Sequence, residues 1–350
     1  MAAPDGEGGQ VQLSRGPRSG SRSSDGHAPR AVGQGAGPRG RLDDLPRVVL
    51  VTGASSGIGR ATALRLARPG AVLALVARGR QGLDAVAADC RARGADVEVH
   101  ALDVGDDAAV GRAVADVVRR HGRLDAVVHS AATIAYGDVV DVPVETFDAV
   151  VRTDVLGSVN VARHAVRQLR AQADARPGDG GTVVLLGSLL GHIAAPWMGS
   201  YTVSKWAVRG LARTLVVENR PYPGIQVRLV SPGGVETPVY RRAATFIGRH
   251  GKPPFPVYAP ETVAERVVGT LARPRAARRD QQVGWANPVV IAGFTALPGV
   301  FDTLVRPLLR TFGLDGRTVA TTTGNVHTPS DRSDPTGDDA PRRRRTRDSR

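Results

Sequence analysis

"RVVLVTGASSGIGRATALRLA" (residues 47–67) reads as three pieces: a short β-branched run, a turn holding Gly53, Gly57 and Gly59, and a segment of helical composition. Glycine carries no Cβ, so the turn can be tight and its backbone can come close to a ligand. The helix that follows presents unpaired N–H groups and the positive end of its dipole, which suits a pyrophosphate. A glycine-rich loop alone says little. One that leaves a first strand and opens a helix points to a dinucleotide site.

Outward from this stretch, "AVLALVA" (71–77), "DVEVHAL" (96–102), "LDAVVHS" (124–130), "GTVVLLGS" (181–188) and "IQVRLVS" (225–231) repeat the strand texture. Segments of helical length rich in Ala, Leu, Val and Arg separate them. Short apolar runs joined by crossovers imply an α/β fold, a Rossmann-type doubly wound parallel sheet with helices on both faces. After residue 231 the pattern loosens into a proline-rich stretch, 238–260, with the place of a lid. A helix, "ETVAERVVGTLA" (261–272), and an apolar stretch follow. The expected organisation is a single domain, 47–272, with a C-terminal extension, 273–315. Tails 1–46 and 316–350, made of Gly, Pro, Ser, Thr and charge without apolar period, read as disordered.

The chain has 350 residues, enough to bury a sizeable core, and 41% of them are hydrophobic. Its formal charge of +14 is spread over many arginines, without a basic stripe interleaved with aromatics, which argues against specific nucleic-acid recognition. Cys90 is the one cysteine, so there is no internal disulfide framework and a cytoplasmic location is expected. The N-terminal region lacks the apolar core of a secretory signal. The most apolar stretch, "PVVIAGFTALPGVF" (288–301), is too short to span a bilayer and is broken by Pro298.

In dinucleotide folds an acidic residue ending the second strand holds the ribose 2′-hydroxyl, whereas arginine there accommodates a 2′-phosphate. This chain reads "LVARGR" (75–80), with Arg78 and Arg80 and no carboxylate, which favours NADP(H) over NAD(H). Asp103, just past the third strand run, is placed to meet the adenine.

"TGASSGIG" (52–59), Ser188, "YTVSK" (201–205) and "SPGGVET" (231–237), in that order, resemble the short-chain dehydrogenase/reductase family in its NADP-preferring form, over residues 47–272. The resemblance implies an oxidoreductase acting on CH–OH groups, with a carbonyl or alcohol as its small-molecule partner and a homodimer or homotetramer as its assembly. It implies Tyr201 as general acid/base, Lys205 beside it and Ser188 on the substrate oxygen. Cofactor contacts would come from Gly53, Ser55, Ser56, Gly57, Ile58, Gly59, Arg78, Asp103, Val104, Ser130, Tyr201, Lys205, Pro232, Gly233, Val235 and Thr237. The chemistry is coherent without the family. A phenol's pKa of ~10 is high for a base at neutral pH, and an ammonium one helical turn away is expected to lower it. Lys205 is one of only two lysines among 47 basic residues, the other being Lys252. A compact, rotatable ammonium suits this place better than a guanidinium fork.

Two departures stand out. "HSAA" (129–132) replaces the family's Asn-Asn-Ala-Gly, with His129 expected as a structural donor. Asp154, in "RTDVLG" (152–157), replaces an Asn that holds a water of the proton relay behind the lysine. Asp154 can still hold that water, or it can pair with Lys205 and blunt its effect on Tyr201. Tyr240, Phe246, Phe255 and Tyr258 in the lid, with Trp197, Met198 and Trp206 near Tyr201, suggest a hydrophobic substrate. Residues 283–310 have three readings, in order of preference: a pocket wall, a subunit interface, or a peripheral membrane contact with Arg306 and Arg310 at anionic headgroups. Two other classes compete with the enzyme: a catalytically impaired cofactor-binding regulatory protein, and a basic nucleic-acid-associated protein.

Overall fold

The computed structural model describes residues 44–329. The readings of 1–43 and 330–350 as tails lie outside the described residues. Each apolar run becomes a strand: β1 (Val48–Thr52), β2 (Val72–Ala77), β3 (Asp96–Ala101), β4 (Ala126–His129), β5 (Gly181–Leu186) and β6 (Ile225–Pro232). A seventh, β7 (Asp280–Val283), completes a sheet of order β7-β6-β5-β4-β1-β2-β3, parallel at every pairing. The central strands are buried on both faces, as their continuous apolar composition requires. Val49 and Val51 of β1 look to one core and Val48 and Leu50 to the other.

Helices α1 (Gly57–Leu66), α2 (Arg80–Arg91) and α7 (Pro260–Ala272) cover the first face through Ala63, Leu66, Val86, Cys90, Val263 and Val267. Helices α3 (Asp107–His121), α5 (Gly157–Ala175) and α6 (Gly199–Glu218) cover the second through Val114, Val117, Ala165, Leu169, Val208 and Ala212. Leu73, Leu169 and Leu185 are fully buried. Truncating any one of them to Ala removes roughly 2–5 kcal/mol. The order in which the chain adds strands reverses between β1 and β4, β2 and β3 lying to one side and β4 onward to the other, and ligands bind such folds in the crevice beyond the strands' carboxyl ends there.

α4 (Val144–Val151) runs into α5 through a π-helical turn, Arg152–Leu156. Turns of this kind are frequent at functional sites, and this one carries Asp154.

The expected boundary at residue 272 falls short. β7 is registered along β6 from Asp280↔Leu229 to Val283↔Pro232, so the sheet continues into the stretch assigned to the extension. "DQQV" hid this strand because it has one apolar core residue, Val283, and is otherwise held by β6's backbone and by buried Gln281, bonded to Thr270 of α7 at 2.9 Å. Beyond it lie α8 (Asn287–Ala296) and α9 (Pro298–Phe312). The stretch from residue 316 is likewise not a free tail where it is described. The strand Leu314–Thr318 pairs with Arg249–Gly251 of the lid, Thr322 bridges Thr245, and Val326 is buried. Polar composition concealed this as well, because the pairing is made by backbone groups.

Candidate active site

The glycine loop leaves β1 with Gly53 at φ +65° and Gly57 at φ +53°, left-handed conformations that favour glycine. A Cβ at Gly53 would lie 2.8 Å from the Ala131 nitrogen, so the "HSAA" loop rests directly on it. Ser56 caps α1 with backbone only, and no acidic residue occupies the first turn, which leaves its N–H groups open to an anion. Gly59 has a different task. A Cβ there would meet the Gly53 carbonyl oxygen at 2.2 Å, so its absence lets α1 pack against the loop, and Gly59 does not line the cavity.

One cavity of about 870 Å³ runs past the carboxyl ends of the strands. It is lined at one end by Gly53, Ser55, Ser56, Gly57 and Ile58, and beside them by Arg78, Asp103 and Val104. Its middle holds Ser130, Ser188, Tyr201 and Lys205, and Pro232, Gly233, Val235 and Thr237 close one side. Asp154 is not on the wall. Asp103 is partly engaged, its Oδ1 accepting from the Gly105 amide at 2.8 Å. Arg78 is engaged too, donating to the carbonyl oxygens of Asn325 and Val326.

Ser188, at the N-cap of a short 3₁₀ turn with its Oγ accepting from the Leu190 amide at 3.1 Å, and Tyr201, in the first turn of α6, both line the cavity. Lys205, one turn on, sits with Nζ 5.3 Å from the centre of the Tyr201 ring and donates to the Leu186 carbonyl at 3.1 Å. The expected depression of the Tyr201 pKa is not what this geometry produces. Burial pushes the phenol well above its ordinary value, with Asp154 and Tyr240 adding to the rise, and only the nearby Ser188 hydroxyl opposes it. Tyr201 therefore holds its proton at neutral pH.

Asp154 Oδ1 accepts from the Thr133 amide at 2.7 Å and from its hydroxyl, and Oδ2 is buried with no hydrogen-bond partner among the described residues. Burial raises this carboxyl to about 6, against the attraction of Lys205 and the Thr133 bonds. Burial also lowers Lys205, and Asp154 partly restores it. The two charges thus support each other without a direct ion pair among the described residues.

His129 is fully enclosed between Thr52 Oγ1 at 2.8 Å from Nδ1 and Ser158 Oγ at 2.9 Å from Nε2. Ser158 donates to the Asp154 carbonyl, so Nε2–H must donate to Ser158 and Nδ1 must accept from Thr52. Burial holds this imidazole neutral, down to about 3. Thr52 Oγ1 also accepts from the amides of Ser130 and Ala131, so His129 fixes the loop that faces Gly53.

The aromatic residues divide. Tyr240, Phe255 and Met198 line the cavity, but Phe246 packs in a small core with Val142 and Val150. Trp206 donates to the Ile193 carbonyl at 3.2 Å, Trp197 lies under Arg306, and the Tyr258 hydroxyl accepts from the Trp285 amide. The apolar wall comes instead from α8 and α9. Val290, Leu297, Val300, Leu304, Leu308 and Phe312 line the cavity, and α9 has no fully buried residue. Asn287, unsuspected in the sequence, anchors this wall, its Nδ2 donating to the Ser231 carbonyl at 3.1 Å. Polar and isolated, it carried no signal of its own.

A glycine loop opening α1 at a topological switch point, with a serine, a tyrosine and a lysine gathered beyond it, defines a class of dinucleotide-dependent oxidoreductases. The family described as short chain dehydrogenase matches residues 47–246, and the chain belongs to it. It is 27% identical over 267 residues to the uncharacterized oxidoreductase YxnA of Bacillus subtilis, covering 75% of this chain and 72% of that protein. It is 34% identical over 202 residues to versicolorin reductase 1 of Aspergillus parasiticus, covering 57% and 73%. Among solved structures, the Thermococcus sibiricus alcohol dehydrogenase complexed with 5-hydroxy-NADP matches with a TM-score of 0.58 and 29% identity, over 68% of this chain and 95% of that one. A Mycobacterium paratuberculosis short chain dehydrogenase bound to NAD matches at 0.59 and 28%, over 68% and 96%. The protein is an NAD(P)-linked oxidoreductase. No helix among the described residues is long and apolar enough to cross a membrane.

Proposed function

We propose that the protein is an NADP(H)-dependent oxidoreductase that reduces the carbonyl of a hydrophobic substrate, with Tyr201 as the proton donor. The observation that carries this reading is that Ser188, Tyr201 and Lys205 line the same cavity as the glycine loop. The uncapped N–H groups of α1 and the left-handed Gly53 and Gly57 fit a pyrophosphate, and Arg78, just past β2 where a ribose-binding carboxylate would otherwise stand, fits a 2′-phosphate. When bound, the dinucleotide supplies or accepts the hydride. Ser188 and Tyr201 would hold the substrate oxygen between two hydroxyls, and Tyr201, protonated at neutral pH, would give its proton to the oxygen as negative charge develops there. Lys205, buried beside the ring, would stabilise the phenolate left behind and hold the nicotinamide ribose. Asp154 offsets part of the burial that lowers the pKa of Lys205.

The apolar wall of α8 and α9 supports a hydrophobic substrate, and the family resemblance supports a homo-oligomer. The reading of a catalytically impaired binding protein is disfavoured, because Asp154 bonds Thr133 off the cavity wall and Ser188, Tyr201 and Lys205 are all present on it. The test is NADPH oxidation with hydrophobic ketones. Tyr201→Phe should lower turnover by about 10²–10⁴-fold while the variant still binds NADPH. Turnover unaffected by this change would refute the assignment.

A further inference from the structure

Arg78, the residue expected to receive a 2′-phosphate, already has partners. Its two terminal nitrogens donate to the carbonyl oxygens of Val326, at 2.8 Å, and Asn325. Burial within this contact lowers its pKa, against the attraction of Asp103 and Asp154. The segment that supplies these oxygens is built into place. Gly324 turns at φ +53° so close beneath the lid that a Cβ would lie 2.3 Å from the Arg242 carbonyl oxygen. The Asn325 amide donates to that same carbonyl at 2.8 Å. Val326, 2% exposed, packs among Val142, Val150 and Ala244. Asn325 and Pro329 line the dinucleotide end of the cavity, and Pro329 lies 3.6 Å from where a Cβ of Gly79 would stand.

We propose that residues 322–329 form a specificity strap that competes with the cofactor's 2′-phosphate for Arg78. The inference rests on the reading of this cavity as a dinucleotide site. The docked strap offers Arg78 two carbonyl acceptors, and Asn325 Oδ1 is a third acceptor, buried without a partner among the described residues. A 2′-phosphate brings only further acceptors and negative charge to this cluster, so it gains Arg78 fully only when the strap's oxygens leave. A ribose 2′-hydroxyl brings a donor and is compatible with the strap in place. The docked strap therefore weakens the NADP(H) binding that Arg78 provides, which has to displace it, and leaves NAD(H) binding unaffected. Release of the strap exposes the NADP(H) preference of Arg78.

Two full-length variants release the strap at separate points. Val326→Asp places a carboxylate in the apolar pocket that anchors it. Gly324→Val places a side chain against backbone. Binding of NADPH and NADH is measured by tryptophan fluorescence, with adenosine 2′,5′-bisphosphate and AMP as probes of the adenosine end. In each variant the Kd for NADPH and the bisphosphate should fall about tenfold or more, while those for NADH and AMP stay within about twofold. Adding Arg78→Ala to Val326→Asp should abolish the gain. Unchanged or weakened NADPH binding in both variants would overturn the proposal, the latter by making the strap a clamp that orients Arg78. Failure of the unmodified protein to bind either dinucleotide would instead remove the oxidoreductase reading, and the strap with it.

Discussion

Asp154→Asn isolates the cost of the buried carboxylate at the π-turn. In the unfolded chain this group titrates near 3.8, and in the folded protein burial raises it to about 6. Between these values the native state holds a proton that the unfolded chain has released, so stability falls as pH rises through that window. Above the window the native state carries a buried charge, and the gap between 3.8 and about 6 is equivalent to ~3 kcal/mol of lost stability. Asparagine keeps the shape and the acceptor for Thr133 and does not titrate. Its own packing cost is constant with pH and cancels in the comparison. Urea unfolding of both proteins across the range from about pH 4 to about pH 8 gives the difference directly. Relative to wild type, the Asp154→Asn variant should gain ~3 kcal/mol over this range, most of it by about pH 6–7. A difference flat with pH would show that Asp154 is not charged in a buried site, and the account of Lys205's support would fail with it.

Other expectations concern single contacts. His129→Gln removes an imidazole held neutral down to about 3, against an ordinary 6.5, so wild type loses stability as pH falls through that interval. The variant should gain on wild type by several kcal/mol over the same interval in acid unfolding. Gly59→Ala drives a methyl into the Gly53 carbonyl, 2.2 Å away, and should cost about 1–3 kcal/mol or more by thermal unfolding, with weaker dinucleotide binding. Leu304→Ser with Leu308→Ser removes apolar surface from the α9 wall. In wild type kcat/KM should rise about three- to fourfold per methylene along a series of 2-alkanones, and in the double variant it should be nearly flat.

The sheet was legible because buried parallel strands are predominantly apolar, as β1, β2, β4 and β5 are and as β6 is at Ile225, Val227, Leu229 and Val230. β7 was not, since an edge strand held by backbone pairing and a Gln281–Thr270 bond has no compositional mark. In the site, Tyr201 and Lys205 could be placed side by side from their spacing because a helix converts i and i+4 into proximity, whereas Ser188 was implied by the family resemblance. The state of Tyr201 could not be read. The sequence shows a neighbouring ammonium but not the burial that outweighs it. Arg78 was legible by position, whereas its partners lie some 250 residues away in a polar segment, and contacts between backbone carbonyls and a guanidinium leave no pattern to find.

The α8–α9 hairpin begins directly after β7 and returns through Leu314–Thr318 onto the lid, so both its ends are tied to structure outside itself. It contributes a wall to the cavity yet no strand to the central sheet and no residue to the glycine loop. Such a module is a replaceable cassette. Drift within 287–312 can retune which molecules enter while the hydride-handling half stays unchanged, and the same separation offers a designer a graft site with two fixed joints.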